Sequence, residues 1–116
     1  MKLREKNDRP WGRFFVIQDD NDYKIKRIEV NSRHRLSYQY HKKRSEHWII
    51  VKGQATIKLE NKTIIKNPGE SIYIPKGAAH RIQNNSTETL VIIEIQLGTY
   101  FGEDDIVRIE DDYNRK

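Results

Sequence analysis

The chain has 116 residues, of which 35% are hydrophobic and 34% are charged, and its formal net charge is +5. This length predicts a single domain, 1–116, with a modest core. Because the sequence has no cysteine, disulfides and thiolate metal sites are excluded, and any metal must be bound by histidine, carboxylate or amide groups.

The charge and the N-terminal composition limit the classes of partner. The positive charge fits an anionic partner as well as it fits a solvated basic surface, and the sequence shows no nucleic-acid-binding motif. The N-terminus is charged without an apolar run, and no segment approaches the length of a membrane span. We therefore expect a cytoplasmic protein that binds neither nucleic acid nor membrane. Because the core is thin, we also expect a homodimer.

Taken in chain order, the pattern predicts a flexible arm over residues 1–8, then short strands separated by turns, then a C-terminal tail over residues 98–116. The predicted strands are 14–18, 23–30, 36–41, 46–52, 54–60, 63–65, 71–74, 80–83 and 90–96. A short helix is predicted in the tail after Glu103-Asp104-Asp105. No segment keeps a helical period over three turns, so the pattern indicates an all-β sandwich or barrel.

Four candidate metal ligands lie in segments that strand phase brings together. Gln39 and His41 share a face because alternate side chains of a strand lie on the same side. Glu46 shares the inward face of the next strand with Trp48, and His80 begins a later strand whose inward face is apolar. Unpaired polar groups on inward faces would be costly. Two imidazoles with oxygen donors suit Zn, Mn, Fe, Co or Ni.

Each of these residues alone also has a structural interpretation. A histidine at a strand end is more often a surface or core residue than a ligand. Gln39 could cap a neighbouring backbone group, and Glu46 could form a surface pair with Arg44. His47 is out of phase with Glu46 and is predicted to face away. The shared phase, rather than any one residue, favours a metal site.

The spacing around these ligands resembles the two cupin motifs. From His41 the sequence runs His-x4-Glu-x6-Gly, and from Gly69 it runs Gly-x5-Pro-x-Gly-x2-His-x3-Asn. The first motif departs at Gln39, where most cupins have a histidine, and at Arg33, where a glycine is usual. The glutamine is similar to the mannose-6-phosphate isomerase pattern, in which a Gln-x-His pair, a glutamate and a distant histidine hold a metal.

Further segments resemble the type II mannose-6-phosphate isomerase domain, which is usually the C-terminal part of a bifunctional mannose-1-phosphate guanylyltransferase. They are residues 9–12, 36–41, 44–48, 74–77, 93–96 and 102–108. The resemblance runs from about Arg9 to Tyr113, without the nucleotidyltransferase part. It implies a small cupin, that is, a double-stranded β-helix or jelly-roll barrel with a short tail. The sequence departs from the family at Ser32-Arg33, where Pro-Gly is usual, and at Asn114, where glycine is usual.

The resemblance implies a metal-dependent isomerase that interconverts mannose 6-phosphate and fructose 6-phosphate through an enediol. It implies one divalent ion, with Zn expected first and Mn, Co or Ni as alternatives. The implied metal ligands are Gln39, His41, Glu46 and His80. The ion would act as a Lewis acid toward the sugar oxygens.

Proton transfer and phosphate binding need further groups. The sequence does not identify the general base, which could be solvent at the metal, a tail carboxylate (Glu103 or Asp105) or, less favoured by its strand phase, His47. Arg44, beside the metal ligands, is a further candidate catalytic residue at the rim of the site. Each predicted phosphate ligand could equally be a solvated surface charge. These ligands are Lys24, Lys26 and Arg108.

Two other functions are compatible with the same residues. The first is a non-catalytic cupin that binds a sugar phosphate or a sugar nucleotide. The second is a cupin-type dioxygenase, against which Gln39 counts because such enzymes usually surround iron with more imidazole. Isomer exchange separates the leading hypothesis from the first alternative, and oxygen dependence would identify the second.

Overall fold

The computed structural model describes residues 6–115, which form antiparallel strands and one 3₁₀ turn. The strands are β1 (Lys6–Arg9), β2 (Gly12–Asp19), β3 (Tyr23–Val30), β4 (Tyr38–Tyr40), β5 (Arg44–Lys52), β6 (Ala55–Leu59), β7 (Lys62–Lys66), β8 (Ser71–Ile74), β9 (His80–Gln83), β10 (Leu90–Gly98) and β11 (Val107–Glu110). The 3₁₀ turn is Glu103–Asp105. Over these residues, the structure has no helix that is long and apolar enough to cross a membrane.

The strands form two sheets that face each other. The order in the six-stranded sheet is β1-β2-β3-β10-β5-β8, and the order in the five-stranded sheet is β11-β4-β9-β6-β7. This arrangement confirms the all-β prediction and is consistent with a jelly roll, although the strands group into two sheets rather than one closed ring. The core lies between the sheets. Fully buried core side chains come from both sheets. Ile50 and Ile92 belong to the six-stranded sheet, and Ile57 and Ile82 belong to the five-stranded sheet.

Some predicted elements are wrong in extent. The expected arm is wrong for residues 6–8, which belong to β1 and pair with β2, while residues 1–5 lie outside the described residues. The strand predicted at 36–41 is reduced to β4, although the backbone N–H of Leu36 also donates to the carbonyl of Ile82 in β9. The short helix predicted after Glu103-Asp104-Asp105 is wrong in position, because these three residues themselves form the 3₁₀ turn, and β11, which was not predicted, follows them.

Two of the turns with left-handed backbone conformation, which usually favours glycine, contain another residue where the resembled family has glycine. The φ angle is 64° at Arg33 and 58° at Asn114. These are the positions at which the sequence departs from the glycines of the resembled family. The fold therefore keeps the turn geometry and places non-glycine residues in it, at a conformational cost that is smaller for asparagine than for arginine.

Asn84, the last residue of the second motif, fixes the loop between β9 and β10 to the rest of the fold. Its side chain is fully buried. Its amide nitrogen donates to the carbonyls of Val30 and Glu88 at 2.9 and 2.8 Å. Its oxygen accepts from the backbone N–H and the hydroxyl of Ser86 at 3.0 and 2.8 Å. The side chain thus connects the end of β9 to β3 of the other sheet.

We expect Asn84→Ala to lower the free energy of unfolding by about 3 kcal/mol, because it leaves several buried donors and acceptors without partners. Urea denaturation measures this value. Asn85→Ala is the matched control, because Asn85 is exposed, and we expect it to cost about 0.5 kcal/mol. Equal losses in the two variants would contradict the role assigned to Asn84.

Candidate metal centre and adjoining cavity

Two sheets contribute to the cluster of candidate ligands. Gln39 lies on β4 and His41 directly follows it, while His80 is the first residue of β9. Gln39 and His80 are register partners in the five-stranded sheet. Glu46 lies on β5 of the other sheet and reaches the same point from across the core.

The distances confirm the inward orientation predicted for three ligands. The Nε2 atom of His41 is 3.2 Å from Oε2 of Glu46, and Nε2 of His80 is 3.8 Å from Oε1 of the same carboxylate. One ligand atom from each residue lies within 4.8 Å of the others, and all three side chains are buried. This separation suits three ligands around one ion.

Hydrogen bonds to backbone carbonyls orient both imidazoles. The Nδ1 atom of His41 lies 3.1 Å from the carbonyl oxygen of Asp105, and Nδ1 of His80 lies 2.9 Å from that of Ala78. Because a carbonyl only accepts, Nδ1 carries the hydrogen and Nε2 keeps its lone pair toward the cluster. Nε2 of His80 is buried without a hydrogen-bond partner. The residues present therefore fit a bound cation.

The protonation states also suit a metal. Burial lowers the pKa of His80 below its ordinary value, so its ring is neutral at pH 7. Burial alone would raise the pKa of Glu46, but the neighbouring His41 ring and the charge of Arg44 hold it well below its usual range. A carboxylate with neutral imidazole is a donor set that divalent ions accept.

Gln39 lies beside the cluster, but its amide is turned away from a ligand orientation. Its Nε2 atom is 3.3 Å from Nε2 of His41, and its Oε1 atom accepts a hydrogen bond from the Ser37 hydroxyl. Only the amide oxygen has a lone pair suited to a metal. Gln39 would therefore have to rotate its amide before it could act as a ligand.

Arg44 is not at the rim, where the sequence analysis placed it. It begins β5 and its side chain is 3% exposed. Its Nε atom donates to Oε2 of Glu46 at 2.8 Å, and its Nη2 atom is 3.3 Å from Nε2 of His41. Its Nη1 atom is buried without a hydrogen-bond partner. The pair with Glu46 is therefore a buried pair rather than a surface pair.

A cavity of about 50 Å³ adjoins the cluster, and Gln39 and Arg44 line it. We call it the basic cavity, since five cationic side chains and two carboxyl groups line it. The cations are Arg9, Lys26, Arg44, Arg108 and Arg115, and the carboxyl groups are Glu94 and Glu103.

Of the three residues predicted to bind phosphate, two line the basic cavity and one does not. Lys26 and Arg108 line it, and the Lys26 side chain is 5% exposed. Lys24 does not line the cavity and instead lies 3.9 Å from a carboxylate oxygen of Asp19. The sequence pattern indicated that Lys24 and Lys26 lie on the inward face of their strand. This is correct for Lys26, but Lys24 does not reach the cavity.

Glu94 is a residue of the site that the sequence analysis missed. It is buried, and it accepts hydrogen bonds from Nε1 of Trp48 at 3.1 Å and from the amide of Gln96 at 2.7 Å. Burial, reinforced by the charge of Glu46, raises its pKa to about 8. The sequence pattern that could have identified Glu94 is the alternation of inward and outward side chains in β10, which places Glu94 on the same inward face as Leu90 and Ile92.

The two tail carboxylates have different surroundings. Asp105 is buried, and its carboxylate accepts hydrogen bonds from the backbone N–H groups of Lys42 and Lys43 at 3.1 and 2.9 Å. It does not line the basic cavity, so its position favours a structural role over that of a general base. Glu103 does line the cavity. His47 faces away from the cluster, as predicted, and packs edge-on against the ring of Tyr73.

Comparison with known proteins places this geometry in a family. The family model described as mannose-6-phosphate isomerase C-terminal matches residues 1–111. The mannose-1-phosphate guanylyltransferase 2 of Escherichia coli O157:H7 is 44% identical over 93% of this chain and 22% of its own length. The xanthan biosynthesis protein XanB of Xanthomonas campestris pv. campestris is 43% identical over 92% of this chain and 23% of its own length. The chain thus spans less than a quarter of these curated relatives.

Solved structures support the fold. A Klebsiella pneumoniae protein with a double-stranded β-helix domain superposes with a TM-score of 0.73 at 15% identity, over 84% of this chain and 83% of that one. A protein of Acidithiobacillus ferrooxidans, provisionally assigned as a sugar phosphate isomerase, gives a TM-score of 0.60 at 29% identity over 66% and 50% of the chains. This chain therefore belongs to the mannose-6-phosphate isomerase C-terminal family and has the cupin fold.

Proposed function

We propose that this protein is a metal-dependent aldose–ketose isomerase that interconverts mannose 6-phosphate and fructose 6-phosphate. The observation that carries the proposal is the buried cluster of His41, Glu46 and His80, which is connected to the basic cavity through Gln39 and Arg44, two cavity-lining residues that contact His41. A ligand cluster without cations, or cations without a ligand cluster, would fit a sugar phosphate less well. Membership of the family supports a role in sugar metabolism.

His41, Glu46 and His80 would hold one divalent ion, with Gln39 as a fourth ligand once its amide oxygen faces them. Zn is the first choice, and Mn, Co and Ni suit the same donors. Bound there, the ion would supply Lewis acidity that stabilises negative charge on the sugar oxygens. Because Glu46 is the only carboxylate of this set, the site would keep a net positive charge.

Isomerisation also needs a group that moves a proton between C1 and C2 of the open-chain sugar. Glu94 is the better placed of the two carboxyl groups that line the basic cavity, because it is buried at the inner end, beside the cluster. One N–H group, Nε1 of Trp48, lies 3.0 Å from Oε1 of Glu46 and 3.1 Å from Oε1 of Glu94. This shared donor fixes the two carboxyl groups relative to each other. We therefore assign proton transfer to Glu94.

Arg44 would complete the site by binding the substrate rather than by transferring a proton. Its Nη1 atom is a buried donor without a partner, and its side chain lines the cavity. A guanidinium stays protonated at physiological pH. It can therefore donate a hydrogen bond to a sugar oxygen and stabilise negative charge there. The homodimer and the cytoplasmic location expected from the sequence stay predictions.

We expect metal-stripped protein to interconvert mannose 6-phosphate and fructose 6-phosphate once Zn, Mn or Co is added. His41→Ala should reduce turnover at least about 100-fold, because it removes a ligand. His47→Ala is the matched control from the same segment and should keep turnover. A coupled spectrophotometric assay measures the rate. Saturable sugar-phosphate binding without isomer exchange in deuterated water would instead indicate a non-catalytic binder.

We expect Zn to raise the melting temperature of the metal-stripped protein by about 10 °C at a concentration about 100-fold above its Kd, because the ion binds only the folded cluster. His80→Ala should lose this shift, while His47→Ala should keep it. Differential scanning calorimetry measures both. If His80→Ala responds to Zn as the unaltered protein does, His80 is not a ligand.

We expect Glu94→Gln to lower kcat at least about 100-fold when both proteins are assayed above pH 8, where the Glu94 carboxylate predominates, because the amide keeps the shape of the side chain but cannot accept a proton. The Zn-induced shift in melting temperature should persist, which separates loss of proton transfer from loss of the metal. Retained turnover in Glu94→Gln, with a loss in Glu103→Gln, would show instead that the tail carboxylate transfers the proton.

A further inference from the structure

Two cations lie against one aromatic ring at the side of the basic cavity. The guanidinium carbon of Arg9 is 4.8 Å from the centroid of the Phe14 ring, and Nζ of Lys26 is 4.2 Å from it. Phe14 is itself buried in the core. Cation–π contacts of this kind hold both charges at defined positions without neutralising them.

A carboxylate of the same chain bridges these two cations. Oε1 of Glu103 is 3.2 Å from Nη2 of Arg9, and Oε2 is 3.8 Å from Nζ of Lys26. The Glu103 side chain is 47% exposed, whereas that of Lys26 is 5% exposed. Glu103 therefore lies at the boundary between the cavity and solvent, with a free path outward.

Other guanidinium groups of the cavity lack sufficient acceptors. Within residues 6–115, Nε of Arg108 and Nη1 of Arg44 are buried without hydrogen-bond partners. Arg115 differs, because the carboxylate of Asp111 binds it through two of its nitrogens. Buried donors are rarely left without partners in native structures. The two unsatisfied groups are therefore available to an acceptor that enters this cavity.

The field at Glu103 is strongly positive. Burial alone would raise the pKa of its carboxyl group, but Lys26, Arg9 and Arg44 together hold the pKa below its ordinary value. The position that the carboxylate occupies is therefore one that stabilises an anion. A phosphate monoester carries more negative charge than a carboxylate and offers three acceptor oxygens instead of two.

We propose that Glu103 occupies the position of the substrate's phosphate group, which displaces it to bind Arg9, Lys26 and Arg108. The inference rests on the proposed function for the identity of the substrate, and it replaces Lys24 with Arg9 in the predicted set. It also gives Glu103 a role other than that of general base. A sugar without a phosphate cannot compete with the carboxylate, so Glu103 makes the site selective for phosphorylated substrates.

The size of the cavity agrees with such a displacement. A volume of about 50 Å³ has room for only a few water molecules, whereas a hexose phosphate is much larger. Departure of the Glu103 side chain would enlarge the cavity on its exposed side. The 3₁₀ turn can stay in place while this happens, since the neighbouring Asp105 remains hydrogen-bonded to Lys42 and Lys43.

Titration with inorganic phosphate, followed by isothermal calorimetry on the full chain, tests the proposal. Glu103→Gln should lower the Kd for phosphate about 10-fold, because the competing charge is gone. Arg108→Gln should raise it by a similar factor. Asp104→Asn is the matched control, since it removes one negative charge from the adjacent residue, which does not line the cavity, and it should change the Kd less than about twofold.

Two results of the phosphate titration would overturn the proposal. Equal shifts in Glu103→Gln and Asp104→Asn would mean that net charge alone matters, and weaker binding to Glu103→Gln would mean that Glu103 holds the cavity in shape. Circular dichroism checks that each variant is folded. As a second measurement, the carboxyl carbon resonance of Glu103 should move on phosphate addition, and a resonance that does not move would also overturn the proposal.

The outcome is separable from that of the isomerase assay, because inorganic phosphate is not turned over. Phosphate binding that tightens in Glu103→Gln, in a protein without isomerase activity, would support the displacement and refute the proposed reaction. Isomerase activity with unchanged phosphate affinity in Glu103→Gln would support the reaction and refute the displacement.

Discussion

The site depends on one buried carboxylate, that of Glu46. It lies between the two sheets, accepts hydrogen bonds from Arg44 and Trp48, and faces the Nε2 atoms of both histidines. A buried charge is tolerated only when its partners compensate for the lost hydration. Glu46 therefore fixes the positions of the groups around it, and without it Arg44 would be a buried cation with no carboxylate in hydrogen-bonding contact.

The C-terminal segment is part of the site rather than an appendage. Asp105 receives the backbone N–H groups of Lys42 and Lys43 on its carboxylate and faces Nδ1 of His41 with its carbonyl oxygen. Two residues earlier, Glu103 reaches the cations of the basic cavity. One 3₁₀ turn thus orients a candidate metal ligand and pairs with two of the cavity's cations. This double role explains why a motif of the C-terminal tail contributes to a site whose candidate ligands lie much earlier in the chain.

Strand phase was sufficient to predict the parts of the site that depend on local periodicity. His41, Glu46 and His80 face inward as expected, and His47 faces outward. Arg44 was placed at the rim because residues 42–45 were predicted as a turn, whereas β5 begins at Arg44 and puts its side chain on the inward face of Glu46. Residues 6–8 were predicted as an arm because they are polar, yet they pair with β2. The contacts of Asp105 with Lys42 and Lys43 and of Trp48 with Glu94 were not predictable, because they join segments that the local pattern does not bring together.

The positions of the tryptophans make intrinsic fluorescence a probe of the site. The chain has two tryptophans, and both belong to the site. Trp48 donates to Glu46 and Glu94 and lies edge-on to the His80 ring, with a centroid separation of 5.4 Å. Trp11 lines the basic cavity. Because no tryptophan lies elsewhere to contribute background, the intrinsic fluorescence of this chain originates at the metal cluster and the cavity, and any ligand that enters either one changes the surroundings of an emitting indole.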